Sequence, residues 1–172
     1  TTVAGGNGYG NGLNQVAAPW GVAVDMNGAV YVSDADNNRI MKWASGSTSG
    51  TIVAGGSSGI YDSTLNGPIG ICLDKQENLY IVDANANRIQ KWRIGATKGQ
   101  TVAGNYSGSS GYGATDLYYP VGVALDQRGD IYVVDLYNHR LQKFKHDSVT
   151  AFEYQAVANG TYSVKVNNFT GC

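Results

Sequence analysis

Three internal repeats constrain the fold of this 172-residue chain more than any other feature of its sequence. They begin at Pro19, Pro68 and Pro120 and read PWGVAVDMNGAVYVSDADNNRIMKW, PIGICLDKQENLYIVDANANRIQKW and PVGVALDQRGDIYVVDLYNHRLQKF. Each places an Asp six residues after the Pro, a Tyr six residues later and a second Asp after three more. An Arg follows five residues later and an aromatic ring four residues beyond it. The copies start 49 and then 52 residues apart, so one structural unit is used three times.

Each repeat contains three short strand-forming runs separated by turns of Asp, Asn and Gly. A fourth run, TIVAGG or TVAGN, follows the first two repeats, and TTVAGG at the N-terminus has the same pattern. Four antiparallel strands in about 50 residues predict an all-β fold of β-propeller blades, since the rungs of a β-solenoid are much shorter. The predicted parts are a rim strand at 1–6, blades at 19–56, 68–105 and 120–150, and a divergent β tail at 151–172.

The shared pattern P-x-G-[VI], then Y-[VI]-x-D, then R-[IL]-x-K-[WF] resembles the NHL repeat and covers residues 1 to about 144. This resemblance implies a propeller, usually six-bladed, with the Pro-x-Gly strand innermost and the TVAGG-like strand on the rim. The three blades are then half of such a propeller or an excerpt of a longer array. The long glycine-rich connectors resemble repeats in large extracellular proteins.

Composition excludes some classes of function. Twelve basic and 13 acidic residues give a net charge of -1, which disfavours nucleic acid because its binding depends on clustered Lys and Arg. No apolar run approaches the 18 or more residues of a membrane span. The N-terminus has neither a signal segment nor a Met, so we expect a processed chain or a piece of a longer one. Cys72 is predicted to be a buried thiol and Cys172 is terminal, so an internal disulfide is not favoured.

The second Asp and the Arg of each repeat flank the turn between the second and third strands. A catalytic or anion-binding pair is needed once, whereas these residues occur in every repeat, which favours structural ion pairs. The predicted pairs are Asp34 with Arg39, Asp83 with Arg88, and Asp135 with Arg140. The aromatic residues that end each repeat, Trp43, Trp92 and Phe144, are predicted to pack between blades.

Catalysis is not predicted, and no cofactor is expected. A zinc site needs three or four convergent ligands, and the two histidines, His139 and His146, lie seven residues apart. The first Asp of each repeat can supply oxygen ligands for calcium, but its repetition favours turn formation. These residues are Asp25, Asp74 and Asp126. G-x-S-x-G, H-E-x-x-H and phosphate-loop motifs are absent from the sequence.

The connectors between repeats carry the variation. GNGYGNGLNQVAA, GSSGIYDSTLNG and NYSGSSGYGATDLYY each join a rim strand to the next inner strand. In a propeller they lie on the same face as the turns between the second and third strands. Tyrosines beside Asn, Asp and Ser suit sugars or protein partners, although they also suit packing of the loops against each other. The tyrosines of these connectors and turns are Tyr9, Tyr61, Tyr106, Tyr112, Tyr118, Tyr119 and Tyr137. The candidate ligand-binding residues among them are Tyr9, Tyr61, Tyr112, Tyr118 and Tyr137.

Possible modification sites and the tail point to an extracellular setting. The N-glycosylation sequons begin at Asn105, Asn159 and Asn168, and Ser63 and Ser148 resemble bacterial O-glycosylation sites. In the tail, VANG at 157–160 is a possible shifted rim strand. The alternative is that TTVAGG from the N-terminus closes the third blade and the tail begins a new module. GTYSVKVNNFTGC resembles a strand of the Ig-like modules of secreted surface proteins.

The leading hypothesis is a secreted or cell-surface repeat scaffold that binds protein or carbohydrate, or builds an extracellular assembly. The second hypothesis is a metal-dependent propeller lyase or lactonase, and the third is an RNA-binding NHL domain. Because a propeller needs at least four blades, three blades leave two apolar flanks open. We expect a second copy or further blades of a longer polypeptide to close the ring.

Overall fold

The described part of the chain is almost entirely β-strand and turn. The computed structural model describes residues 1–145 in full and, beyond them, the backbone of two strands at 151–156 and 162–167. Two short 3-10 helices, Ala84–Ala86 and Leu136–Asn138, interrupt the strands. The all-β prediction is confirmed, and Val, Ile and Tyr, which favour pleated, half-buried positions, fill the strands.

Blades one and two are sheets of four antiparallel strands. Blade one has the order β1-β2-β3-β4 and blade two the order β5-β6-β7-β8, so neighbours in the chain are neighbours in the sheet. The strands of blade one are β1 (Pro19–Val24), β2 (Val30–Asp34), β3 (Arg39–Trp43) and β4 (Thr51–Gly55). Those of blade two are β5 (Pro68–Leu73), β6 (Leu79–Asp83), β7 (Arg88–Trp92) and β8 (Gln100–Gly104).

Blade three contains three strands in the described part of the chain. They are β9 (Pro120–Leu125), β10 (Ile131–Asp135) and β11 (Arg140–Phe144), in the sheet order β11-β10-β9. Two later strands, β12 (Ala151–Ala156) and β13 (Tyr162–Asn167), pair antiparallel with each other. The possible rim strand at 157–160 lies outside the described residues.

The Pro-x-Gly strands form the inner layer of the array. Strand β1 contacts β5 and β5 contacts β9, so the first strands of successive blades lie side by side. A Cβ atom on Gly21 would collide with the Ile69 carbonyl, and one on Gly70 would lie 3.2 Å from the Val121 carbonyl. Only glycine leaves room for the neighbouring backbone here, which explains its place in the repeat.

The hydrophobic core lies between blades, because each sheet covers a face of the next. One cluster joins blades one and two and a second joins blades two and three. The first contains Tyr31, Ile40, Ala54, Leu65, Ile71, Leu79, Ile81 and Trp92. The second contains Tyr80, Val82, Ala84, Ile89, Ala103, Leu117, Ile131 and Val133, with Phe144 packed against it. Trp92 and Phe144 thus pack between blades, whereas the buried Trp43 lies against Gly50 and belongs to neither cluster.

The N-terminal segment 1–6 differs from its prediction as a rim strand. It forms no strand in the described structure and lies near Trp43 and the turn at 44–48. A rim strand pairs with the third strand of its own blade, as β4 pairs with β3. Residues 1–6 pair with no strand among the described residues, so the rim strand predicted there is not formed in this structure.

Candidate functional site

An Asp–Arg ion pair lies at the turn between the second and third strands of every blade. The pairs are Asp34–Arg39, Asp83–Arg88 and Asp135–Arg140, with Nε–Oδ2 distances of 2.6, 2.8 and 2.8 Å. The other carboxylate oxygen accepts a hydrogen bond from the backbone N–H of Ala17, Asn66 or Tyr118. Each carboxylate therefore has both a charged and a backbone partner, as expected for buried anions.

Each Arg also holds the connector that leads into its own blade. Nη1 donates to the carbonyl 28 residues earlier and Nη2 to the carbonyl 27 residues earlier in all three blades. For Arg88 these are the carbonyls of Ile60 and Tyr61, at 2.8 and 3.0 Å. The predicted pairs thus fix whole connectors as well as turns, and the Arg donors are used by the fold.

The connectors and the turns between second and third strands form one face of the array, called here the loop face. It consists of residues 7–18, 35–38, 56–67, 84–87, 105–119 and 136–139. Asn37 donates to the Gly10 carbonyl at 2.9 Å, and Asn138 donates to that of Gly111 at 2.8 Å. The Tyr9 hydroxyl donates to Asp36 at 3.0 Å. These hydrogen bonds join connector to turn and make the loop face a fixed surface.

Three of the five candidate tyrosines come together on blade three. The Tyr118 ring lies edge-on to Tyr112 and Tyr137, with centroids 6.2 and 5.1 Å away, and Tyr119 stacks on Tyr137 at 5.2 Å. Tyr9 and Tyr61 are exposed on the connectors of blades one and two and make no ring contact with the others in the described structure. The loop face therefore carries one four-ring aromatic surface, at blade three.

A cleft opens beside this aromatic surface, between the turns of blades one and two. Its volume is about 350 Å³, and it is called here the Trp20 cleft. The side chains that line it include Trp20, Asp36, Asn38, Asn66, Asn85 and Tyr119. Of these, Tyr119 is one of the connector tyrosines named from the sequence, and the other five were not predicted. The signal that identifies most of them is divergence, because the equivalent positions of the otherwise matching repeats hold different residues. Asn38 is the exception, since blade two has Asn87 there.

The divergence is clearest at two positions. Trp20 in blade one corresponds to Ile69 and Val121, and Tyr119 in blade three corresponds to Ala18 and Gly67. A repeated scaffold that presents different side chains at equivalent sites has the arrangement expected of a recognition surface.

The opposite face carries a repeated Asp–Lys–Tyr cluster. Oδ1 of Asp25 accepts the backbone N–H groups of Asn27 and Ala29, and the same turn recurs at Asp74 and Asp126. A Lys follows in each blade, with Lys42 Nζ 3.0 Å from Asp25 and 4.8 Å from the centre of the Tyr31 ring. The Lys42 hydrogen bond, together with those from the turn, lowers the pKa of Asp25 despite the opposing effect of burial. These carboxylates therefore serve turns and ion pairs.

No group of three metal-ligating side chains comes together within the described residues. His139 takes up the left-handed conformation that ends the turn, with φ +52°, as do Asn38 and Asn87 in the other blades. His146 lies outside the described residues. His139 is therefore an ordinary turn residue of the repeat.

Cys72 lies on β5 and forms no disulfide in the described structure. Burial, with a smaller contribution from Asp74, raises the pKa of its thiol to about 12, so the thiol is protonated and unreactive at neutral pH. Cys172 lies outside the described residues.

Two of the five predicted modification sites are described. Asn105 begins a turn in which its Oδ1 accepts the Ser107 N–H and hydroxyl, both at 2.9 Å, and Ser63 is exposed on a connector. The remaining three, Asn159, Asn168 and Ser148, lie outside the described residues. Glycosylation stays a prediction.

Both flanks of the array expose side chains that its interior buries. On blade one, Val22 is 65% exposed, whereas its equivalent Ile71 is 9% exposed. On blade three, Leu141 is 67% exposed, whereas Ile40 and Ile89 are fully buried. Val24, Val134 and Leu136 are exposed in the same way. The two flanks are apolar surfaces of the kind that a further blade covers.

Comparison with known proteins confirms the repeat. A family model of the NHL repeat matches residues 17–43, 65–92 and 117–144. No curated protein sequence matches the chain. None of the helices in the described part of the chain is long and apolar enough to cross a membrane.

Solved structures show the same fold at low sequence identity. An auxiliary nutrient binding protein from Bacteroides thetaiotaomicron has 19% identity and a TM-score of 0.61, over 72% of this chain and 36% of that protein. A protein of unknown function from the same species has 18% identity and a TM-score of 0.62, over 73% and 34%. Virginiamycin B lyase from Staphylococcus aureus has 16% identity and a TM-score of 0.53, over 80% and 41%.

The chain therefore spans about a third to two fifths of the length of these proteins, and the likeness concerns the fold. Each matched repeat coincides with the first three strands of one sheet, from the inner strand to the aromatic residue that ends the third strand. With three such repeats folded as propeller blades, the chain belongs to the NHL-repeat family of β-propeller proteins.

Proposed function

We propose that this chain is a binding module of a secreted or cell-surface scaffold, and that its loop face takes a protein or carbohydrate ligand. The observation that carries the proposal is the contrast on this face between a repeated frame and unrepeated side chains. The Asp–Arg pairs hold each connector by the same hydrogen bonds. By contrast, the positions of Tyr119 and Tyr137 on this face, and of Trp20 at its edge, hold a different residue in each blade. Rigid frames with variable loops are typical of binding proteins.

A binding role is favoured over catalysis by how the charged groups are used. The Asp–Arg pairs are occupied in holding connectors, and the Asp25-type carboxylates are occupied in turns and ion pairs. A metal-dependent lyase or lactonase needs free convergent ligands. An RNA-binding role has no support from the charge, since the net charge is -1.

Binding of the purified chain to arrays of glycans and of extracellular proteins tests this proposal, with metal analysis of the same sample. We expect at least one reproducible ligand and no stoichiometric metal. Stoichiometric zinc or calcium, together with turnover of a lactone or of a cyclic peptide ester, would replace the binding role with an enzymatic one.

The extracellular location has its own test. Mass spectrometry of peptides from native material is expected to show glycan on at least one site among Asn105, Asn159, Asn168, Ser63 and Ser148. All five sites bare would remove the support that these motifs give to secretion.

We also propose that a second copy of the chain closes the ring. The two apolar flanks, marked by Val22 on blade one and Leu141 on blade three, are the surfaces that adjacent blades bury inside the array. Two sets of three blades reach the six blades usual for the NHL family, and residues 1–6 of one copy would then supply the rim strand of the other copy's third blade. Light scattering is expected to show a dimer, and a folded monomer at micromolar concentration would refute the closure.

A further inference from the structure

The Trp20 cleft combines one exposed aromatic ring with short polar side chains. Trp20 is 73% exposed, whereas the other two tryptophans, Trp43 and Trp92, are buried. It stands at the second position of the inner strand, where the other blades place Ile69 and Val121. A large flat ring at the edge of a 350 Å³ cleft offers a stacking surface for a ligand with an apolar face.

The polar groups of the cleft still have hydrogen-bonding capacity. Asp36 accepts the Tyr9 hydroxyl with one carboxylate oxygen, and Asn85 donates to Asn66 at 3.3 Å. Among the described residues, the other carboxylate oxygen of Asp36 and the side-chain amide oxygen Oδ1 of Asn85 accept no hydrogen bond. Acceptor oxygens of this kind can receive the hydroxyl protons of a sugar ring.

The charge of the lining narrows the ligand class. One carboxylate, that of Asp36, lies in the cleft, and neither Lys nor Arg lines it. A uronic, sulfated or phosphorylated sugar would meet an uncompensated negative charge there. The cleft therefore favours an uncharged sugar over an acidic one.

The position of Tyr119 has a left-handed backbone in all three blades, with Ala18 at φ +48° and Gly67 at φ +61°, and only blade three fills it with a bulky ring. The φ of Tyr119 is +50°, in the left-handed region that is costly for a bulky residue, and Asn87 fixes it by accepting its N–H at 2.8 Å. Blade two fills the equivalent position with Gly67 at φ +61°, which is the residue this conformation suits. Blade three instead holds a ring that lines the cleft and stacks on Tyr137.

We propose that the Trp20 cleft is a subsite for one uncharged sugar residue of an oligosaccharide, with Trp20 as the stacking ring. Asp36 and Asn85 bind its hydroxyl groups, and the tyrosines from Tyr119 to Tyr112 extend the surface along the rest of the chain of sugars. This inference rests on the proposed binding function and names the ligand class of the same face.

Fluorescence titration of the intact chain tests the subsite directly, because Trp20 is the exposed tryptophan. The probes are neutral gluco-, manno- and galacto-oligosaccharides, with heparin-derived and galacturonate oligosaccharides as acidic counterparts. A neutral oligosaccharide is expected to shift the emission to shorter wavelength and to protect Trp20 from acrylamide quenching. The expected dissociation constant is on the order of a millimolar for so small a ligand.

Substituting a cleft residue by the residue at the equivalent position of another blade separates effects on binding from effects on folding. Trp20→Val introduces the residue of blade three, and Tyr119→Gly introduces that of blade two. Calorimetric titration is expected to show at least tenfold weaker binding for both, while circular dichroism shows that both variants remain folded. Met26→Ser, at an exposed turn on the opposite face, is the matched control and is expected to bind normally.

The outcomes distinguish this inference from the wider proposal. Neutral-sugar binding that survives Trp20→Val and Tyr119→Gly, or binding of acidic oligosaccharides only, overturns the subsite. Binding of a protein ligand alone overturns it as well, while leaving the proposed binding function intact. If neither glycans nor proteins bind the loop face, both proposals fail.

Discussion

Blades two and three share one sequence pattern and one register between their second and third strands, yet they differ in what covers them. Blade two lies between two blades and buries Arg88 and Ile89 completely. In blade three, which has a blade on one side, the Arg140 side chain is 29% exposed and Leu141 is 67% exposed. In a propeller, then, the burial of a residue depends on whether the next blade is present as much as on the residue itself.

Because equivalent residues are buried in blade two and exposed in blade three, the same side chain contributes differently to the stability of the two blades. An apolar side chain that leaves water stabilises the fold by about 1.5–3 kcal/mol, which Ile89 contributes and Leu141 does not in a free three-blade array. Removing one partner of a buried ion pair destabilises the fold more than removing one partner of an exposed pair, because the other charge stays buried and uncompensated. The first three predictions below compare matched positions of different blades, and the last concerns blade three.

The largest difference is expected between Arg88→Ala and Arg140→Ala. Arg88→Ala leaves Asp83 buried without its charged partner, and we expect a loss of about 3–5 kcal/mol in the free energy of unfolding. Arg140 is partly exposed, so water replaces some of its hydrogen bonds and the loss is expected to be on the order of 1–3 kcal/mol.

Chemical denaturation of both variants measures these losses, with Arg128→Ala as the control because that side chain is 75% exposed. The control is expected to change stability by less than about 0.5 kcal/mol. Equal losses for the two variants would show that blade three is covered as fully as blade two. An unchanged midpoint in Arg88→Ala together with lost ligand binding would make that Arg functional.

The next comparison removes the apolar side chain beside each Arg. Ile89→Ala creates a cavity in the core between blades two and three, and we expect a loss of about 2–5 kcal/mol. Leu141→Ala is expected to be almost neutral in the monomer, because Leu141 lies on the open flank. Its effect becomes dependent on protein concentration if a second copy covers the flank. Melting curves at two concentrations, differing by a factor of about 100, separate the two cases.

The sequence predicted the frame of the fold because each strand begins at a residue of the repeat. Strands β1, β5 and β9 start at Pro19, Pro68 and Pro120, and the third strand of each blade starts at Arg39, Arg88 or Arg140. It predicted the Asp–Arg pairs but not their carbonyl partners, because those lie in connectors without a common pattern. The rim strand at 1–6 failed to form since a strand needs a neighbouring strand, which local sequence does not show.

The candidate site was predicted less completely than the fold. Tyr112, Tyr118 and Tyr137 come together, but Tyr9 and Tyr61 lie on other connectors. Trp20 was missed because its place in an inner strand indicates a core residue, as Ile69 suggests for blade two. Whether that position faces the core or a cleft depends on how the blades are arranged. The sequence marks Trp20 as unusual only when the repeats are compared position by position.

A third comparison concerns the glycine of the inner strand. A Cβ atom on Gly21 would collide with the Ile69 carbonyl of the next blade, whereas on Gly122 it meets the Val134 side chain at 3.1 Å. We expect Gly21→Ala to cost about 1–3 kcal/mol and Gly122→Ala less than about 1 kcal/mol, since no described blade follows blade three. Thermal melts of the two variants measure this, and an equal cost would indicate backbone packed against Gly122 as well.

The smallest effect expected is the dependence of blade three on pH. Burial alone would raise the pKa of Asp135, but hydrogen bonds from the Tyr118 N–H, Asn138 and Arg140 outweigh it, so the pKa lies below the ordinary value. A carboxyl with a lowered pKa stabilises the folded state above its unfolded pKa of about 3.9, and that contribution disappears as the pH falls through the folded value. Asp135→Asn should therefore lower the melting temperature most near pH 7 and progressively less below about pH 4.

Gln127→Ala, an exposed turn variant on the opposite face, is the control and should show a difference in melting temperature from wild type that does not change with pH. A penalty for Asp135→Asn that is the same from pH 7 to pH 3 would mean that the charge of Asp135 contributes nothing and that shape alone holds the turn.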